Sequence, residues 1–516
     1  MKNAKLIMSH VFGSGRSRRA GSPSLAWTWI AAIAIGTGGV AAAASHGIER
    51  GAVMSVRVRR QPTGPRVPSM FMGYSIEWGL ISRMLENKDG RFDVMAKSIN
   101  VLEKFTGPML LRIGGDSERE AAFELPKLRH RPKFVGINIT PNTLRQLGKL
   151  ARVTGCQYVI GLNLAVDEPR LAVRLVKAAD RYVGRRHIAA FEIGNEADLL
   201  GGEGHRTWWA HNNYNMYLRR WTRYYHAIKP WLGKAKIEGP AFSGEHWFNH
   251  LPDYFRQEHK RLGIVSLHNY PMGVSVKNPR SPQYASIRNL LSPRSTDMFA
   301  HEMRQIRLLA APYHLPVRFG EMNSVSGGGK RDVSNTFAST LWTVSTLLAI
   351  AQAGGAGVNL HMSQGIDGFP GWYAPLRFGP GGHLHVMPEY IGMLVAADVI
   401  QHDSRPMYLR ARSRLNVSIF AFESPHHTIR VAVINRMPAT NLTVRLRLPA
   451  GMRPVRRYLV DAPNVRAVRG VTITGFRVSG AAVGRLNHTK LKLESAALMD
   501  RRIVSPAGSV VIAVYR

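Results

Sequence analysis

Two glutamates that could act on one bond stand at the ends of apolar segments typical of buried strands. Glu196 lies in the segment FEIGNEAD, and Glu321 lies 125 residues later in VRFGEMNSVSGGG. If both segments are strands of one parallel barrel, both carboxylates lie at the face where such barrels place their chemistry. A nucleophile and a proton donor on opposite sides of one bond are what glycoside hydrolysis with retention requires. The two segments therefore predict this chemistry.

A repeating strand-helix pattern supplies the barrel that this chemistry needs. From about residue 69, apolar runs alternate with amphipathic stretches. Thr140-Pro141 predicts the start of one helix, and Phe337–Ala353 is typical of a long apolar helix on a barrel's outside. Strands are predicted at Phe71–Trp78, Met109–Gly115, Tyr158–Leu164, Ile188–Gly194, Lys236–Phe242, Ile264–Tyr270, Val317–Glu321 and Ala356–His361. Eight such units favour a (β/α)₈ TIM barrel over a doubly wound sheet, whose G-x-G-x-x-G signature is missing from the sequence.

The pattern changes after about residue 400. Leu415–Phe422, Thr428–Asn435 and Leu442–Leu448 alternate apolar and polar residues, which predicts a C-terminal antiparallel β-sandwich. Ala52–Arg60 alternates in the same way and is expected to add a strand to that sandwich. The predicted organisation is a signal peptide or anchor at 1–45, a linker and strand at 46–68, the barrel at 69–400 and the sandwich at 401–516.

Polar residues end seven of the eight predicted barrel strands, which a purely structural barrel would not require. Buried carboxylates are costly unless they are paired or hydrogen-bonded, so a set of them at one face predicts a site. The strand-end residues are Glu77, Asp116, Asn163, Asn195 with Glu196, His268 with Tyr270, Glu321, and Asn359 with His361.

These residues resemble those of clan A glycoside hydrolases, in which an Asn-Glu pair ends the fourth strand and a second Glu ends the seventh. Within the clan the chain is most similar to glycoside hydrolase family 79, the β-glucuronidase and heparanase family. The resemblance covers roughly residues 52–516. The matching segments are Leu111–Asp116 (LRIGGD), FEIGNEAD, Ser266–Tyr270 (SLHNY), and Gly320-Glu321 followed by Gly327-Gly328-Gly329.

The resemblance implies a role for each matching residue. Glu196 corresponds to the general acid and base, and Glu321 corresponds to the nucleophile. Asn195 is expected to donate to the sugar 2-hydroxyl, and Tyr270 is expected to hydrogen-bond Glu321. The remaining matches, expected to hydrogen-bond other hydroxyls of the same sugar, are Glu77 and Asp116.

The loop after the nucleophile bears on substrate choice. In the family, backbone amides of this loop bind the carboxylate of a uronic acid, and successive amides without side chains can converge on an anion. Here the loop is Ser326, Gly327 and Gly328, followed by Gly329. Familiar members often have an aromatic hydroxyl where Ser326 stands, so Tyr373 is expected to supply a hydroxyl to the carboxylate instead.

The chain is strongly basic. Lys and Arg number 70 against 33 Asp and Glu, which gives a formal charge of +37. Such a charge favours an acidic polysaccharide, an anionic lipid or a nucleic acid as partner, although an arginine-rich proteome would give the same excess. Nucleic acid is not expected, because basic clusters such as Arg57–Arg60 lack interleaved aromatic residues. Cys156 is the single cysteine, and no metal-ligand spacing occurs, so no cofactor or metal is expected.

The N-terminus has the order of an export signal. Basic residues, including Arg18 and Arg19, precede an apolar stretch from Leu25 to Val40 and then small residues up to Ser45. A cleaved signal peptide and a retained anchor are both open at this point. Either one predicts export to a periplasmic or extracellular location, and the lack of disulfides favours a bacterial source.

Three functions remain open from the sequence. The first is an exported retaining β-glucuronidase acting on glycans that bear glucuronic acid, without a metal or cofactor. The second is a clan A β-glycosidase for a neutral sugar. The third is a non-catalytic protein that binds polyanionic glycans through the sandwich. The sequence does not distinguish exo from endo cleavage, and it does not indicate an oligomeric state.

Overall fold

The computed structural model describes residues 51–86, 89–125, 134–200, 213–243, 247–411, 413–473, 476–478 and 501–516. The predicted signal peptide or anchor at 1–45 lies outside the described residues. Residues from Gly51 to the C-terminus form one compact unit.

The first layer of this unit is a closed parallel barrel. After strand β1 (Ala52–Pro62), eight strands follow one another around the barrel in chain order, and the last pairs with the first. The predicted TIM barrel is therefore confirmed. Its strands are β2 (Met72–Glu77), β3 (Leu110–Gly114), β4 (Gln157–Leu162), β5 (Ile188–Ile193), β6 (Lys236–Ser243), β7 (Ile264–Asn269), β8 (Val317–Met322) and β9 (Gly357–Met362).

Helices surround this barrel. Thr140 accepts the amide hydrogen bond of Thr143 and so caps the helix that Pro141 begins, as its sequence predicts. None of the helices within the described ranges combines the length and apolar character that a membrane span requires. The helices are α1 (Trp78–Leu85), α2 (Arg91–Thr106), α3 (Pro141–Thr154), α4 (Pro169–Ala179), α5 (Tyr214–Ile228), α6 (Leu251–Glu258), α7 (Ile287–Leu290), α8 (Pro293–Ala310), α9 (Phe337–Gln352) and α10 (Pro388–Ile400).

The second layer is a ten-stranded sheet in the order β16-β15-β14-β18-β12-β11-β10-β1-β13-β17. It combines β1 with β10 (Arg405–Ala411), β11 (Val417–Glu423), β12 (Ile429–Asn435), β13 (Leu442–Arg447), β14 (Pro454–Asp461), β15 (Val471–Ile473), β16 (Phe476–Val478), β17 (Arg502–Ser505) and β18 (Ser509–Tyr515). Inward side chains from both halves of this sheet form one apolar core, as in a β-sandwich.

The predicted β-sandwich is confirmed, and one strand pair in it is parallel rather than antiparallel. β1 pairs antiparallel with β10 but parallel with β13, in register from Ala52 opposite Leu442 to Arg57 opposite Arg447. The parallel pair is possible because β1 enters the sheet before the barrel while β13 follows it, so no hairpin joins the two strands.

Polar contacts join the barrel helices to the sheet. Asp398 of α10 accepts hydrogen bonds from Arg456, at 2.8 Å, and from Tyr458, at 2.6 Å. Arg436 donates to Thr296 of α8 at 2.9 Å. The sheet thus contacts two helices of the barrel wall.

Candidate active site

The carboxyl ends of the barrel strands bring most of the predicted site residues together. Glu196 follows β5, while Glu321 lies within β8. One carboxylate oxygen of Glu196, one of Glu321 and a ring nitrogen of His268 all lie within 4.8 Å of one another. Residues 125 positions apart in the chain therefore share one small volume, as expected for strand ends of a closed barrel.

Arg112, a fully buried arginine in β3, lies beneath this site and donates hydrogen bonds to its residues. Its five donated hydrogen bonds involve every guanidinium nitrogen. Nε and Nη2 of Arg112 donate to Glu192 at 2.8 and 2.6 Å, and Nη2 also donates to Asn195 at 2.6 Å. Nη1 donates to Glu321 at 2.7 Å and to Ser75 at 3.0 Å. Arg112 thereby fixes Glu321 and the residue that precedes Glu196 in one network.

The surroundings of Glu321 stabilise its ionised form. Besides the bond from Arg112, its carboxylate accepts a hydrogen bond from the Tyr270 hydroxyl at 2.7 Å, as predicted. His361 Nδ1 lies 3.3 Å from the other oxygen. Burial by itself would raise the pKa of Glu321, but the positive charges of His361 and Arg112 together with the Tyr270 bond hold that pKa well below its usual range.

Glu196 lies in the opposite environment. Its backbone has φ of +46°, a left-handed conformation held by the hydrogen bond from its amide to the Ala241 carbonyl at 3.0 Å. Burial, the nearby charge of Glu321 and that of Asp116 raise the pKa of Glu196 well above its usual range. The carboxyl lies 3.0 Å from Nδ1 of His268. Burial and Arg112 lower the pKa of this histidine to about 4, so it stays neutral beside a protonated Glu196.

The same three groups are the one set of side chains in the described ranges whose geometry resembles a metal-ligand cluster. They are Glu196, His268 and Glu321. A cation among them would lie beside the buried guanidinium of Arg112, which already donates to Glu321. It would also require Glu196 to lose a proton that its surroundings favour. These charges suit proton transfer better than metal binding.

Glu77, at the end of β2, supports the site wall. Its oxygens accept hydrogen bonds from the amides of Asp116 and Ser117 at 3.1 and 2.7 Å, and His361 lies 3.1 Å away. Gly115 permits this close approach, because a Cβ there would lie 2.5 Å from the Glu77 carboxyl carbon. The predicted contact between Glu77 and a sugar hydroxyl would therefore have to replace an existing bond.

Asp116 keeps a side-chain acceptor that a ligand could use, whereas two strand-end asparagines make hydrogen bonds within the protein. The half-buried Asp116 accepts a hydrogen bond from Arg119 at 2.9 Å through one oxygen, and in the described residues its other oxygen has no donor. Asn163 instead donates to the backbone of Arg119 and of Ala121. Asn359 accepts two bonds from Arg318 below the site. Both asparagines are structural, whereas Asp116 retains an acceptor for a ligand.

The glycines after Glu321 have three consecutive left-handed backbones, with φ of +81°, +83° and +81° at Gly327, Gly328 and Gly329. A Cβ on Gly328 would lie 2.7 Å from side-chain atoms of both Phe369 and Pro370, so only glycine fits. Gly328 is buried, yet its amide meets no acceptor among the described residues. An amide without a protein acceptor remains able to donate to a ligand.

The other predicted carboxylate contacts flank this loop. Val325–Ser326 pairs with Met272–Gly273 as a two-stranded parallel ribbon, which places Ser326 beside the glycines. The buried Tyr373 hydroxyl lies 2.9 Å from Ser363 Oγ, and its ring stacks on Tyr270 with centroids 6.1 Å apart. Tyr373 therefore lies next to the residue that orients Glu321, where its hydroxyl can also meet a ligand.

Sequence reasoning missed the roles of three residues in this network. Ser75 and Glu192 lie inside strands rather than at their ends, and Arg112 was noted only as part of a matching segment. A charged side chain in an otherwise apolar strand was the available signal, because such a residue must have a buried partner. That signal indicates that a partner exists but does not identify it.

We expect Arg112→Gln to lower the free energy of unfolding by about 3–5 kcal/mol, because two buried carboxylates would lose their counter-charge. Arg112→Lys should fall between wild type and Gln, since an ammonium keeps the charge but lacks the planar guanidinium that reaches four acceptors. Guanidinium titration, followed by fluorescence and circular dichroism, measures both. The exposed Arg304→Gln, on α8, should cost less than about 0.5 kcal/mol. A comparably small loss at Arg112 would contradict the proposed network.

No protein-family model matches the chain. Two relatives are β-glucuronidases: one from Neurospora crassa is 25% identical over 349 residues, 60% of each chain, and one from Aspergillus niger is 22% identical over 71% of this chain and 72% of its own. The alignment thus spans less than two thirds of the Neurospora protein.

Solved structures share the fold over a larger part of the chain. A 4-O-α-L-rhamnosyl-β-D-glucuronidase from Fusarium oxysporum 12S has a TM-score of 0.65 at 16% identity, covering 90% of this chain and 99% of its own. A family 51 arabinofuranosidase from Xanthomonas axonopodis pv. citri has a TM-score of 0.63 at 14% identity, with the same coverage. The chain thus has sequence relatives among glycosidases and the fold of solved glycosidases, which supports a glycosidase.

Proposed function

We propose that the protein is a retaining β-glucuronidase of the family 79 type, exported, that acts on glycans bearing glucuronic acid. The observation that carries this proposal is a pair of neighbouring carboxyls whose surroundings shift their pKa values in opposite directions. Oxygens of Glu196 and Glu321 lie within 4.8 Å of each other, close to the separation of about 5–5.5 Å used for retention and shorter than inversion requires.

In the first step, ionised Glu321 attacks the anomeric carbon while protonated Glu196 donates its proton to the glycosidic oxygen. The bond between the anomeric carbon and the glycosidic oxygen breaks, and the aglycone leaves as an alcohol. A glycosyl ester forms on Glu321. Esterification removes the negative charge that helps to raise the pKa of Glu196. The now ionised Glu196 can therefore deprotonate the water that releases the sugar and restores both carboxyls.

Two side chains are placed to hold sugar hydroxyls. Because Arg112 occupies the amide oxygen of Asn195, the Asn195 NH₂ group remains to donate to the 2-hydroxyl. The second oxygen of Asp116 remains as an acceptor for another hydroxyl. Both contacts would fix the ring above Glu321, which is how positioning lowers the barrier.

The glycine loop supports a uronic acid as the sugar. The Gly328 amide donates to no acceptor among the described residues, and a sugar carboxylate would supply a charged one without any lysine or arginine. Ser326 and Tyr373 lie on either side of the loop and offer hydroxyl donors. The two β-glucuronidase relatives agree with this choice of substrate.

A clan A glycosidase for a neutral sugar is the second candidate. The family 51 arabinofuranosidase matches the fold almost as well as the rhamnosyl-glucuronidase does, with TM-scores of 0.63 and 0.65. The two-carboxyl mechanism would be the same, so the substrate depends on the glycine loop alone.

Hydrolysis of p-nitrophenyl β-D-glucuronide, β-D-glucoside and β-D-xyloside tests the function. We expect preference for the glucuronide and a loss of kcat of about 10⁴-fold or more in Glu321→Gln. Glu196→Gln should lose about 10²–10⁴-fold, because only the general acid and base is removed. The exposed Glu86→Gln serves as control. Turnover that persists in a folded Glu321→Gln variant would contradict the mechanism, and preference for a neutral sugar would contradict the substrate.

The pH profile tests the protonation states. Activity requires ionised Glu321 and protonated Glu196. The acid limb of the profile therefore reports the pKa of Glu321, and the alkaline limb reports the pKa of Glu196. Since the Tyr270 hydroxyl lowers the pKa of Glu321, Tyr270→Phe should move the acid limb to higher pH and lower kcat by about tenfold or more. Tyr313→Phe, outside the site, should change neither. An unmoved acid limb in folded Tyr270→Phe would mean that another group is the nucleophile.

Gly328→Ala tests the carboxylate contact. A Cβ here displaces Phe369 or the loop itself, so kcat/KM for the glucuronide should fall by about 10–100-fold, the worth of one hydrogen bond to a charged group. Activity on the neutral glycosides should fall much less. Gly368→Ala is the matched control, because Gly368 is also left-handed, at φ +74°, but has open space around it. Equal losses on all substrates would argue against carboxylate recognition by this loop.

A further inference from the structure

Four adjacent strands of the sheet present arginines on one outer face. They are β10, β1, β13 and β17, in that order. The inward residues of these strands, such as Val56, Met407 and Leu446, belong to the apolar core. The alternate residues point outward and are exposed. We call the outward arginines the arginine face: Arg57, Arg59, Arg410, Arg445, Arg447 and Arg502.

The strand register places these arginines opposite one another. Arg57 of β1 lies opposite Arg410 of β10 on one side and opposite Arg447 of β13 on the other. With strands about 4.8 Å apart, this row carries three positive charges within about 10 Å. In a second row, Arg445 of β13 lies opposite Arg502 of β17.

The strands that form the row of Arg57, Arg410 and Arg447 supply no opposite charge to it. The four strands contain no Asp or Glu in their sequences. Within the described ranges, no carboxylate forms an ion pair with Arg57, Arg410 or Arg447. Like charges directly opposite each other destabilise a sheet, so folding stability does not explain the arrangement.

Protection of a sheet edge does not explain the rows of arginines either. Charged residues commonly guard edge strands against unwanted pairing. However, Arg57 of β1 and Arg445 of β13 lie where their strands are paired on both sides, so edge protection does not account for them. The arrangement instead suits a ligand with regularly spaced negative charges.

We propose that the arginine face binds the acidic polysaccharide whose uronic acid the barrel cleaves. This inference rests on the proposed function. Guanidinium groups pair with carboxylates through two parallel hydrogen bonds, and a row of them suits a chain with repeated carboxylates. Binding there would raise the concentration of the polymer near the catalytic site without any new catalytic contact.

A membrane or a nucleic acid fits this face less well. The outward apolar residues beside the arginines are Val53 and Val504, which are 58% and 51% exposed and lack the bulk of the Trp, Phe or Leu that interfacial helices insert. Nucleic-acid grooves use free aromatic faces for base stacking. The aromatic residue here is Tyr408, and the Arg59 guanidinium lies over its ring at 5.6 Å.

The test compares the double variant Arg57→Ser/Arg447→Ser with Arg294→Ser/Arg304→Ser, which removes the same charge from exposed positions on α8. The probes are hyaluronan, uncharged dextran, phosphatidylglycerol vesicles and a DNA duplex. Binding is measured in the Glu321→Gln background, and turnover in the active enzyme with hyaluronan and with p-nitrophenyl β-D-glucuronide.

We expect about a tenfold weaker affinity for hyaluronan in the arginine-face variant, about 1.4 kcal/mol, and little change in the control. Dextran should not bind, and kcat/KM on the small glucuronide should be unchanged. Arg57→Lys/Arg447→Lys should lose part of the affinity, because lysine keeps the positive charge but lacks the paired N–H donors of the guanidinium. Equal affinity for hyaluronan in both Ser variants, or arginine-dependent binding of vesicles or DNA alone, would overturn the proposal. Failure of the proposed function would appear separately, as no hydrolysis of the small glucuronide by wild type.

Discussion

The buried guanidinium of Arg112 is the interaction on which the rest of the site depends. Transfer of one arginine from water to a barrel interior is costly, and the cost is offset only by charged partners with good geometry. Here Glu192 and Glu321 supply the charges, and Ser75 and Asn195 complete the set of acceptors. The partners come from three other strands or strand ends. One side chain therefore links local strand geometry to the positions of both predicted catalytic carboxyls.

This placement also explains why two glutamates in one pocket differ in protonation. Glu321 lies between Arg112, His361 and the Tyr270 hydroxyl, all of which favour its anion. Glu196 has the neutral His268 as its neighbour and the negative Glu321 close by, so burial dominates and its proton is retained. The two residues are chemically identical in sequence. Their surroundings therefore shift their pKa values in opposite directions.

Much of the fold could be predicted because its signals are local. Apolar runs of five to eight residues marked all eight barrel strands, and the residues at their ends marked the site. The pairing within the site could not be predicted, because the partners of Arg112 are 37 to 209 residues away and the sequence pattern indicates only that each is buried. For the same reason the bonds that Glu77 accepts from the loop after β3 could not be predicted from the sequence. The parallel pairing of β1 with β13 likewise depends on contacts between distant segments.

The burial of acidic residues concentrates positive charge on the protein surface. Among the described residues, the buried charged side chains include eight carboxyls but only three arginines: Glu77, Glu118, Glu192, Glu238, Glu258, Glu321, Glu389 and Asp398, against Arg112, Arg318 and Arg436. A chain with 33 acidic residues thus places a substantial share of them inside, where burial raises the pKa of several, such as Glu118 and Glu389. The outer surface is therefore left with proportionally more positive charge than the formal +37 spread evenly would give. An acidic substrate would be attracted to this surface over long range, while its carboxylate would be recognised at close range by uncharged amides. Attraction and selection would then use different groups, so a change in surface charge can alter capture of the polymer without altering the sugar that is cleaved.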